Sequence, residues 1–278
     1  MAADPFASLE VAAARRSVVA FGGTLDAATL VSAYRAGCFP WPDSEPDDGP
    51  SHRRATDRRA RALVRRGEVP LLPGSDGLVP WFSPEPRAVL LADEVVVRRS
   101  LRARLRSCGW TATVDGAFDD VVAGCADRSE GTWITDRMRR AYGELHRQGA
   151  SADARAHSVE VWDGTTLVGG LYGILVGQVF CGESMFHRAT DASKVALVEL
   201  GARLLEAGGR LIDVQQETNH LASLGQVLVS RADYLAALAV LRDRPAVLAT
   251  DRRPVARLAD ETPGDARHQD GRGAPSPV

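Results

Sequence analysis

The sequence HSVEVWDGTTLVGGLYGILVGQVF, residues 157–180, decides the fold of the second half of the chain. Its first six residues alternate between the two sides of a strand, Asp163-Gly164 is a favoured turn pair, and Leu167–Val176 leads back, which predicts a β-hairpin. A strand, a long helix and a short strand are predicted next, at residues 178–186, 192–206 and 210–214. Antiparallel strands followed by a helix and another strand indicate a mixed α/β fold of the α+β kind.

The elements that flank this stretch are shorter. Thr24 or Asp26 can cap a helix that Gly37 ends. Pro40 then stops regular structure and places Trp41 in a turn or loop. The remaining predicted elements are a strand at AVLLA, helices at 100–107, 118–126 and 136–147, a strand at QVLVSR and a helix at ADYLAALAVLR.

Between Pro42 and Pro80 the composition changes. An acidic cluster precedes seven arginines between Arg53 and Arg66, and few apolar residues are present to offset the entropy of ordering the chain. We therefore expect residues 43–79 to form a disordered insertion with at most one short helix. Its arginines can be a patch that contacts RNA phosphates or a solvated insertion, and the composition favours the second.

Three segments are expected along the chain. Residues 1–88 would form a small N-terminal domain that contains the insertion, and residues 89–244 a larger domain. Residues 245–278 are rich in Asp, Arg, Pro and Gly, which predicts a disordered tail.

Composition argues against several classes of protein. Hydrophobic residues make up 45% of the 278 positions and charged residues 25%, which are globular values, and the net charge of −2 does not suit a protein that coats nucleic acid through bulk positive charge. The sequence contains no apolar run of membrane-spanning length, and its first residues lack the pattern of a secretory signal, so we expect a cytoplasmic protein. The cysteines should then be reduced and mostly buried.

Several catalytic and metal-binding signatures are absent from the sequence. It contains no P-loop, no GxGxxG after a strand, no HExxH and no CxxC, so we expect no metal site. Gly182-Glu183-Ser184-Met185-Phe186 superficially resembles the nucleophile elbow of serine hydrolases, but Phe186 replaces the second glycine. The histidines lie on different predicted elements and are expected to be hydrogen-bonded structural residues.

Stretches that combine turn, polar and aromatic residues remain. Trp41 and Trp133 lie next to turns and carboxylates, where an exposed ring is costly unless another ring, such as a nucleobase, stacks on it. Composition alone supports this interpretation and a core-filling role about equally.

Taken in order, these stretches resemble the leucyl/phenylalanyl-tRNA–protein transferase family over about residues 20–240. Phe82 stands where a second tryptophan is usual, and Val214 where cysteine is usual. The insertion after Trp41 is larger than the family's loop, so the resemblance stops at its edges. The segments that carry it are YRAGCFPW, PWFSPEPRAVL, DGAFDDVVAGCA, GTWITDRM, AYGELH, HSVEVWDGTTLVGGLYG, VFCGESMFHRATDASKVAL, LIDVQ and HLASLG.

The resemblance implies an aminoacyltransferase of the N-degron pathway. Such an enzyme moves Leu or Phe, and less readily Met, from aminoacyl-tRNA to the α-amine of proteins that begin with Arg or Lys, which marks them for degradation. It implies an acetyltransferase-like (GNAT) fold for residues 89–244 and no cofactor, because aminoacyl-tRNA is a co-substrate. We expect a monomer that does not bind membranes.

By the same resemblance, Asp213 and Gln215 are the catalytic pair. Their i, i+2 spacing on a strand would place both side chains on one face. Because a carboxamide is a very weak base, we expect Asp213 to attract and orient the α-ammonium group and Gln215 to align the nucleophile or the carbonyl. Proton removal would then fall to water or the tRNA ribose.

The resemblance also assigns residues that bind substrate. Trp41 and Trp133 would contact the terminal adenosine, and Glu183 the aminoacyl amino group or the basic acceptor residue. Leu200 and Leu204 replace phenylalanines that are common in the family, which should change the preference among Leu, Phe and Met. The apolar pocket for the amino acid would be formed by Leu171, Phe180, Leu197, Leu200, Leu204 and Ile212.

The residues leave two other classes open. An acyltransferase that uses acyl-coenzyme A would need a glycine-rich pyrophosphate loop before the helix at 192–206, which the sequence lacks. A non-catalytic RNA-binding module would rest on the arginines and tryptophans, and would lose RNA binding when residues 43–78 are deleted.

Overall fold

The computed structural model describes residues 4–41, 50–74, 76–127, 132–148 and 154–261, and confirms a mixed α/β fold. Its strands in these ranges are β1 (Val18–Gly22), β2 (Phe39–Pro40), β3 (Leu71–Leu72), β4 (Pro80–Phe82), β5 (Arg87–Leu91), β6 (Thr111–Val114), β7 (Arg155–Asp163), β8 (Thr166–Val176), β9 (Val179–His187), β10 (Leu211–Gln215), β11 (Val227–Val229) and β12 (Arg253–Pro254). Its α-helices are α1 (Ala27–Arg35), α2 (Pro50–Arg65), α3 (Arg99–Ser107), α4 (Phe118–Ala126), α5 (Asp136–Arg147), α6 (Ala192–Glu206), α7 (Asn219–Ala222), α8 (Arg231–Leu241) and α9 (Leu258–Glu261).

The strands form two sheets. The smaller sheet has the order β2-β4-β1-β3, and the larger has the order β11-β5-β10-β9-β8-β7-β6-β12. Neighbouring strands of the larger sheet pair antiparallel except for β9 and β10, which run parallel. The helix α6 connects these two, as a parallel crossover requires.

Local signals in the sequence set the ends of several elements. The Asp26 carboxylate accepts a hydrogen bond from the Thr29 backbone N–H at 2.8 Å and caps α1. The predicted hairpin is confirmed as β7 and β8, and Gly164 has a φ of +57° at its turn. The bounds predicted for the long helix agree with α6.

The larger sheet is covered on both faces. Along β8, Tyr172 and Ile174 face the core formed with α4 and α5, whereas Leu171 and Leu175 face the core formed with α6. This alternation explains why nearly all of β8 is apolar, since a strand that is buried on both sides has no solvent-facing position.

The expectation that residues 43–79 are disordered is wrong for the described part of that range. The helix α2 buries Ala60 and Leu63 against Phe21 and Val69, and β3 pairs with β1. Apolar residues at helical spacing inside the arginine run give α2 one packing face, which the overall composition concealed. Residues 43–49 and 75 lie outside the described residues.

The tail is ordered up to Glu261, so the expected disorder of residues 245–261 is also wrong. Leu248, Val255 and Leu258 are buried. The Arg203 guanidinium of α6 is fully buried and donates to the backbone carbonyls of Ala249 and Asp251, which fixes this segment on the sheet. No sequence pattern predicts these contacts of Arg203, because the groups that accept its hydrogen bonds are backbone oxygens. Residues 262–278 lie outside the described residues.

The strands β1 to β4 form the smaller sheet, and all strands from β5 onward belong to the larger one. This change lies close to residue 88, where the sequence predicts a domain boundary. The boundary itself stays a prediction. The two sheets share a hydrophobic core, in which Phe39 and Trp81 belong to the same cluster as Tyr172. In the described ranges, no helix has both the length and the apolar character that crossing a membrane requires.

No disulfide joins the four cysteines, all of which lie in the described ranges. The thiols of Cys38, Cys125 and Cys181 are buried, and that of Cys108 is half-buried, as expected for reduced, small apolar residues.

Candidate active site

A pocket opens where the parallel strands β9 and β10 stop pairing. Their register runs from Leu211 opposite Val179 to Asp213 opposite Cys181, and the strands separate beyond that point. The space between them, closed below by α6, is a cavity of about 430 Å³. A diverging pair of strands thus exposes backbone and side chains from two elements to one ligand.

Most of the residues predicted to form a site meet in this cavity. Leu204 is buried in the core next to the pocket and does not line it, and Asp213 lies behind its wall. The predicted residues that do line the cavity are Trp41, Trp133, Leu171, Phe180, Glu183, Leu197, Leu200, Ile212 and Gln215.

Two tryptophans from distant loops stack on each other at the pocket. The ring centroids of Trp41 and Trp133 are 5.4 Å apart, with an angle of 12° between the planes. The Trp41 ring also lies 6.3 Å from that of Phe82. Both indoles are partly exposed, so the pocket has a flat aromatic wall on which another ring can stack.

Asp213 and Arg87 form a buried ion pair behind the pocket. Arg87 Nε donates to Oδ1 at 2.8 Å and Nη2 donates to Oδ2 at 2.5 Å, while Tyr234 Oη donates to Oδ2 at 2.9 Å. Burial acts to lower the pKa of Arg87, but the adjacent carboxylate outweighs it and the pKa is raised. The carboxylate of Asp213 is therefore fully engaged inside the protein.

Gln215 turns into the pocket through an unusual backbone conformation. Its φ is +66°, in the left-handed region, and the register of β10 against β5 shifts between Asp213 and Gln215. The expectation that the i, i+2 spacing puts both side chains on one face is wrong, because this shift breaks the alternation. Its backbone N–H donates to Asp213 Oδ1 at 2.9 Å, and its Nε2 donates to Glu183 Oε1 at 2.7 Å.

Glu183 is a buried carboxylate at the pocket wall. Besides the bond from Gln215, its Oε2 accepts a hydrogen bond from Tyr142 Oη at 2.7 Å, and Tyr34 Oη lies 2.7 Å from Tyr142 Oη. Burial raises the pKa of Glu183 to about 7, although the surrounding hydrogen bonds act in the opposite direction. The group can therefore change charge near neutral pH.

The superficial nucleophile elbow is not formed. Ser184 lies in the middle of β9, whereas an elbow needs a sharp turn between a strand and a helix. Within the part of the chain that the structure describes, no cluster of His, Cys, Asp and Glu is arranged to hold a metal ion.

The four histidines whose side chains the structure describes divide into two groups. His157 Nδ1 lies 2.8 Å from Asp115 Oδ2 and His146 Nδ1 lies 3.0 Å from the Ala156 carbonyl, so these two are hydrogen-bonded structural residues as predicted. His187 and His220 instead line the pocket. No spacing pattern in the sequence indicates this, because the fold brings the two residues together from β9 and α7.

Two family models match the chain. Residues 89–239 match the model described as leucyl/phenylalanyl-tRNA protein transferase, and residues 23–50 match the model of the N-terminal domain of that protein. The chain belongs to the leucyl/phenylalanyl-tRNA–protein transferase family. It is therefore an aminoacyltransferase, and the pocket lies within the larger matched region apart from the contribution of Trp41.

Curated members of the transferase family resemble the chain over most of its length. The protein named leucyl/phenylalanyl-tRNA--protein transferase from Shewanella baltica (strain OS223) is 43% identical over 236 residues, which is 84% of each chain. The protein of that name from Chromohalobacter salexigens is 44% identical over 257 residues, 91% of this chain and 86% of the other. The one from Stutzerimonas stutzeri is 45% identical over 231 residues, 82% of this chain and 86% of the other.

The sequence-based site of this transferase omitted the residues behind the pocket. Arg87 could have been suspected, since a charged residue at the head of the apolar strand AVLL must find a partner when that strand is buried. Tyr34, Tyr142 and Tyr234 lie on the apolar faces of helices and gave no signal beyond that of core residues.

The raised pKa of Glu183 predicts a pH-dependent difference in stability between the wild type and Glu183→Gln. The pKa rises from 4.5 to about 7 on folding, so this carboxyl favours the folded state most below pH 4.5 and loses that advantage as pH rises through 7. Relative to the variant, the wild type should lose about 3 kcal/mol of unfolding free energy over this interval.

Urea unfolding between pH 4 and 8 measures this difference, with the exposed Glu217→Gln variant as the control for the substitution itself. If the difference in unfolding free energy between the wild type and Glu183→Gln does not change with pH, the account of Glu183 is refuted.

Proposed function

We propose that the protein transfers Leu or Phe, and less readily Met, from aminoacyl-tRNA to the α-amine of proteins that begin with Arg or Lys. The observation that carries this proposal is an apolar cavity with a buried carboxylate in its wall and stacked tryptophans beside it. These are the surfaces that an apolar aminoacyl group, an amine and a terminal adenosine need. Marking proteins for degradation in the N-degron pathway, in the cytoplasm and as a monomer, is part of the proposal.

The reaction needs alignment more than strong acid or base catalysis. The acceptor α-amine attacks the ester carbonyl carbon, a tetrahedral oxyanion forms, and the bond from that carbon to the ribose oxygen breaks. The amine loses a proton and the ribose oxygen gains one, so no cofactor or metal is required for balance. Because the ester is already reactive, holding the amine and the carbonyl together should supply much of the acceleration.

The polar residues would divide this work. Glu183, at the cavity wall, would attract the acceptor's positive charge or the aminoacyl amino group. Gln215 would align the nucleophile or the carbonyl, since its amide is held by Glu183 and its backbone by Asp213. Asp213 would act through these contacts. The expectation that it orients the α-ammonium group directly is wrong, because its carboxylate is enclosed by Arg87 and Tyr234.

The remaining predicted residues would bind the donor. Trp41 and Trp133 would contact the terminal adenosine by stacking or indole N–H donation. The aminoacyl side chain would occupy the apolar part of the cavity, formed by Leu171, Phe180, Leu197, Leu200 and Ile212.

A GNAT-like fold for residues 89–244 is supported by one feature of the larger sheet. Its parallel neighbours β9 and β10 are connected by α6 and diverge at the cavity, which lets a substrate reach between two strands. Acyl-coenzyme A is a less suitable donor, since the sequence before α6 lacks the glycine-rich loop that would hold its pyrophosphate.

Transfer of radiolabelled leucine from charged tRNA tests the proposed function. We expect label to appear on a peptide that begins with Arg and to be absent from the same peptide with N-terminal Glu, because the acidic pocket wall favours a basic acceptor. Equal labelling of both peptides would overturn the proposed acceptor, and labelling of neither would overturn the function.

The cavity predicts that Leu200 and Leu204 differ in their effect on donor choice. Leu200→Ala enlarges the cavity and should raise the kcat/KM ratio of Phe over Leu about tenfold, since pockets discriminate by about 1–3 kcal/mol for a methylene-sized difference. Leu204→Ala is the matched control, because Leu204 is buried outside the cavity lining and affects packing alone.

Competition between the two charged tRNAs gives this ratio, which does not depend on the fraction of folded enzyme. A similar shift in the Leu204→Ala enzyme, or none in Leu200→Ala, would contradict the assignment.

A further inference from the structure

The helix α2 carries a face of exposed arginines that the pocket does not use. Arg58, Arg61 and Arg65 follow one another at intervals of three and four residues, so they lie along one side of the helix. Arg59 and Arg66 are exposed as well. We name Arg58, Arg61 and Arg65 together the arginine face.

The charge on this face is unbalanced. Residues 57–68 hold the five arginines against the two carboxylates of Asp57 and Glu68. Like charges at helical spacing destabilise a helix by about 0.2–0.5 kcal/mol per pair. Arg66 donates to Glu68, so Asp57 is the other carboxylate of this stretch beside Arg58, Arg61 and Arg65. A helix surface this rich in guanidinium groups can bind a polyanion through charge-assisted hydrogen bonds.

The orientation of the arginine face is fixed by packing. Ala60 and Leu63 are buried on the opposite side of α2, against Phe21 of β1. Just after the helix, Glu68 accepts a hydrogen bond from Arg16 at 2.6 Å, which fastens the loop to the strand region before β1. The arginines are thus presented to solvent by a docked helix.

The segment that carries α2 begins and ends at the pocket. It follows Trp41 and ends before Pro80. These two residues are adjacent in space, since the Trp41 backbone N–H donates to the Pro80 carbonyl at 3.1 Å. Trp41 itself lines the cavity. Nine residue steps separate Trp41 from Pro50, so the start of α2 lies within about 30 Å of the cavity, and the helix itself is about 24 Å long.

We propose that the arginine face binds the phosphate backbone of the donor tRNA outside its aminoacylated end, an inference that rests on the proposed function. Because Trp41 lines the cavity proposed for the 3′ end of the tRNA, the chain that carries α2 is attached at the edge of that cavity. The planar guanidinium matches phosphate oxygens in a bidentate manner, and such contacts are independent of base sequence. The net charge of −2 is a sum over the whole chain, so it does not indicate a local cluster of arginines.

The test compares two triple variants that lose the same charge. One is Arg58→Gln, Arg61→Gln and Arg65→Gln, in which glutamine preserves helix propensity. The matched control is Arg15→Gln, Arg210→Gln and Arg244→Gln, at exposed positions that do not line the cavity. Each enzyme is assayed over a range of salt with full-length leucyl-tRNA and with leucyl-adenosine, a donor that lacks the tRNA body.

With leucyl-tRNA, we expect the α2 variant to show a KM about tenfold higher near physiological salt, with kcat unchanged. Its plot of log KM against log salt should be less steep by about 2–3, because each of the three lost phosphate contacts removes about 0.7–0.9 from the slope. With leucyl-adenosine it should behave like the wild type, and the control variant should match the wild type with both donors.

Three results would overturn the inference: a wild-type KM for leucyl-tRNA in the α2 variant, an equal loss with both donors, or a change confined to the KM of the acceptor protein. The last would assign the surface to an acidic acceptor instead of RNA. Failure of the wild type to use either donor would refute the proposed function and, with it, this inference.

Discussion

The buried ion pair between Arg87 and Asp213 is the constraint on which the arrangement of the site depends. Two opposite charges with 1% and 0% of their side chains exposed have lost their hydration, and their attraction offsets that loss only with good geometry and further partners. Both are present here. The pair is bidentate, Tyr234 donates to the carboxylate, and the guanidinium lies over the rings of Phe39 and Tyr234 at 4.9 and 4.4 Å.

This pair joins parts of the chain that are far apart in sequence. Arg87 begins β5, Asp213 lies in β10, Tyr234 lies in α8, and the Gly37 carbonyl after α1 accepts from Arg87 Nη1 at 3.4 Å. The smaller sheet, the larger sheet and α8 therefore meet at one pair of charges. The ion pair lies directly behind the pocket, so it makes the rear wall of the pocket rigid.

From this pair, hydrogen bonds lead into the pocket. Asp213 holds the backbone of Gln215 in its left-handed conformation, Gln215 donates to Glu183, and Glu183 is held by Tyr142 with Tyr34 behind it. Each donor and acceptor in this series is buried and occupied, so the polar groups keep their positions before substrate arrives. Such pre-organisation suits a reaction that needs alignment of an amine and an ester.

Sequence reasoning was accurate where one local signal determined the structure. The hairpin turn at Asp163-Gly164, the cap at Asp26 and the apolar spacing of α6 each fixed an element. It failed where the determinant was not local in the sequence. The anchoring of the tail by Arg203 and the left-handed Gln215 both depend on partners that only the folded chain brings together.

For the pocket too, sequence reasoning was accurate for some residues and wrong for others. Its apolar lining followed from helix and strand positions that would be core in any case, and the resemblance to the family predicted which of them line the cavity. Leu204 was misplaced because one turn of α6 separates a residue at the cavity from one behind it. No pattern in the sequence distinguishes those two positions.

The most direct test of the ion pair's central role is a double-mutant cycle on the free energy of unfolding, with Arg87→Met, Asp213→Asn and the double variant. Each single variant leaves one buried group without its partner and should lose about 3–5 kcal/mol. The double variant removes both charges together, so the account predicts that it is no less stable than either single variant. Losses that simply add in the double variant would contradict the claim that these two charges act as one unit.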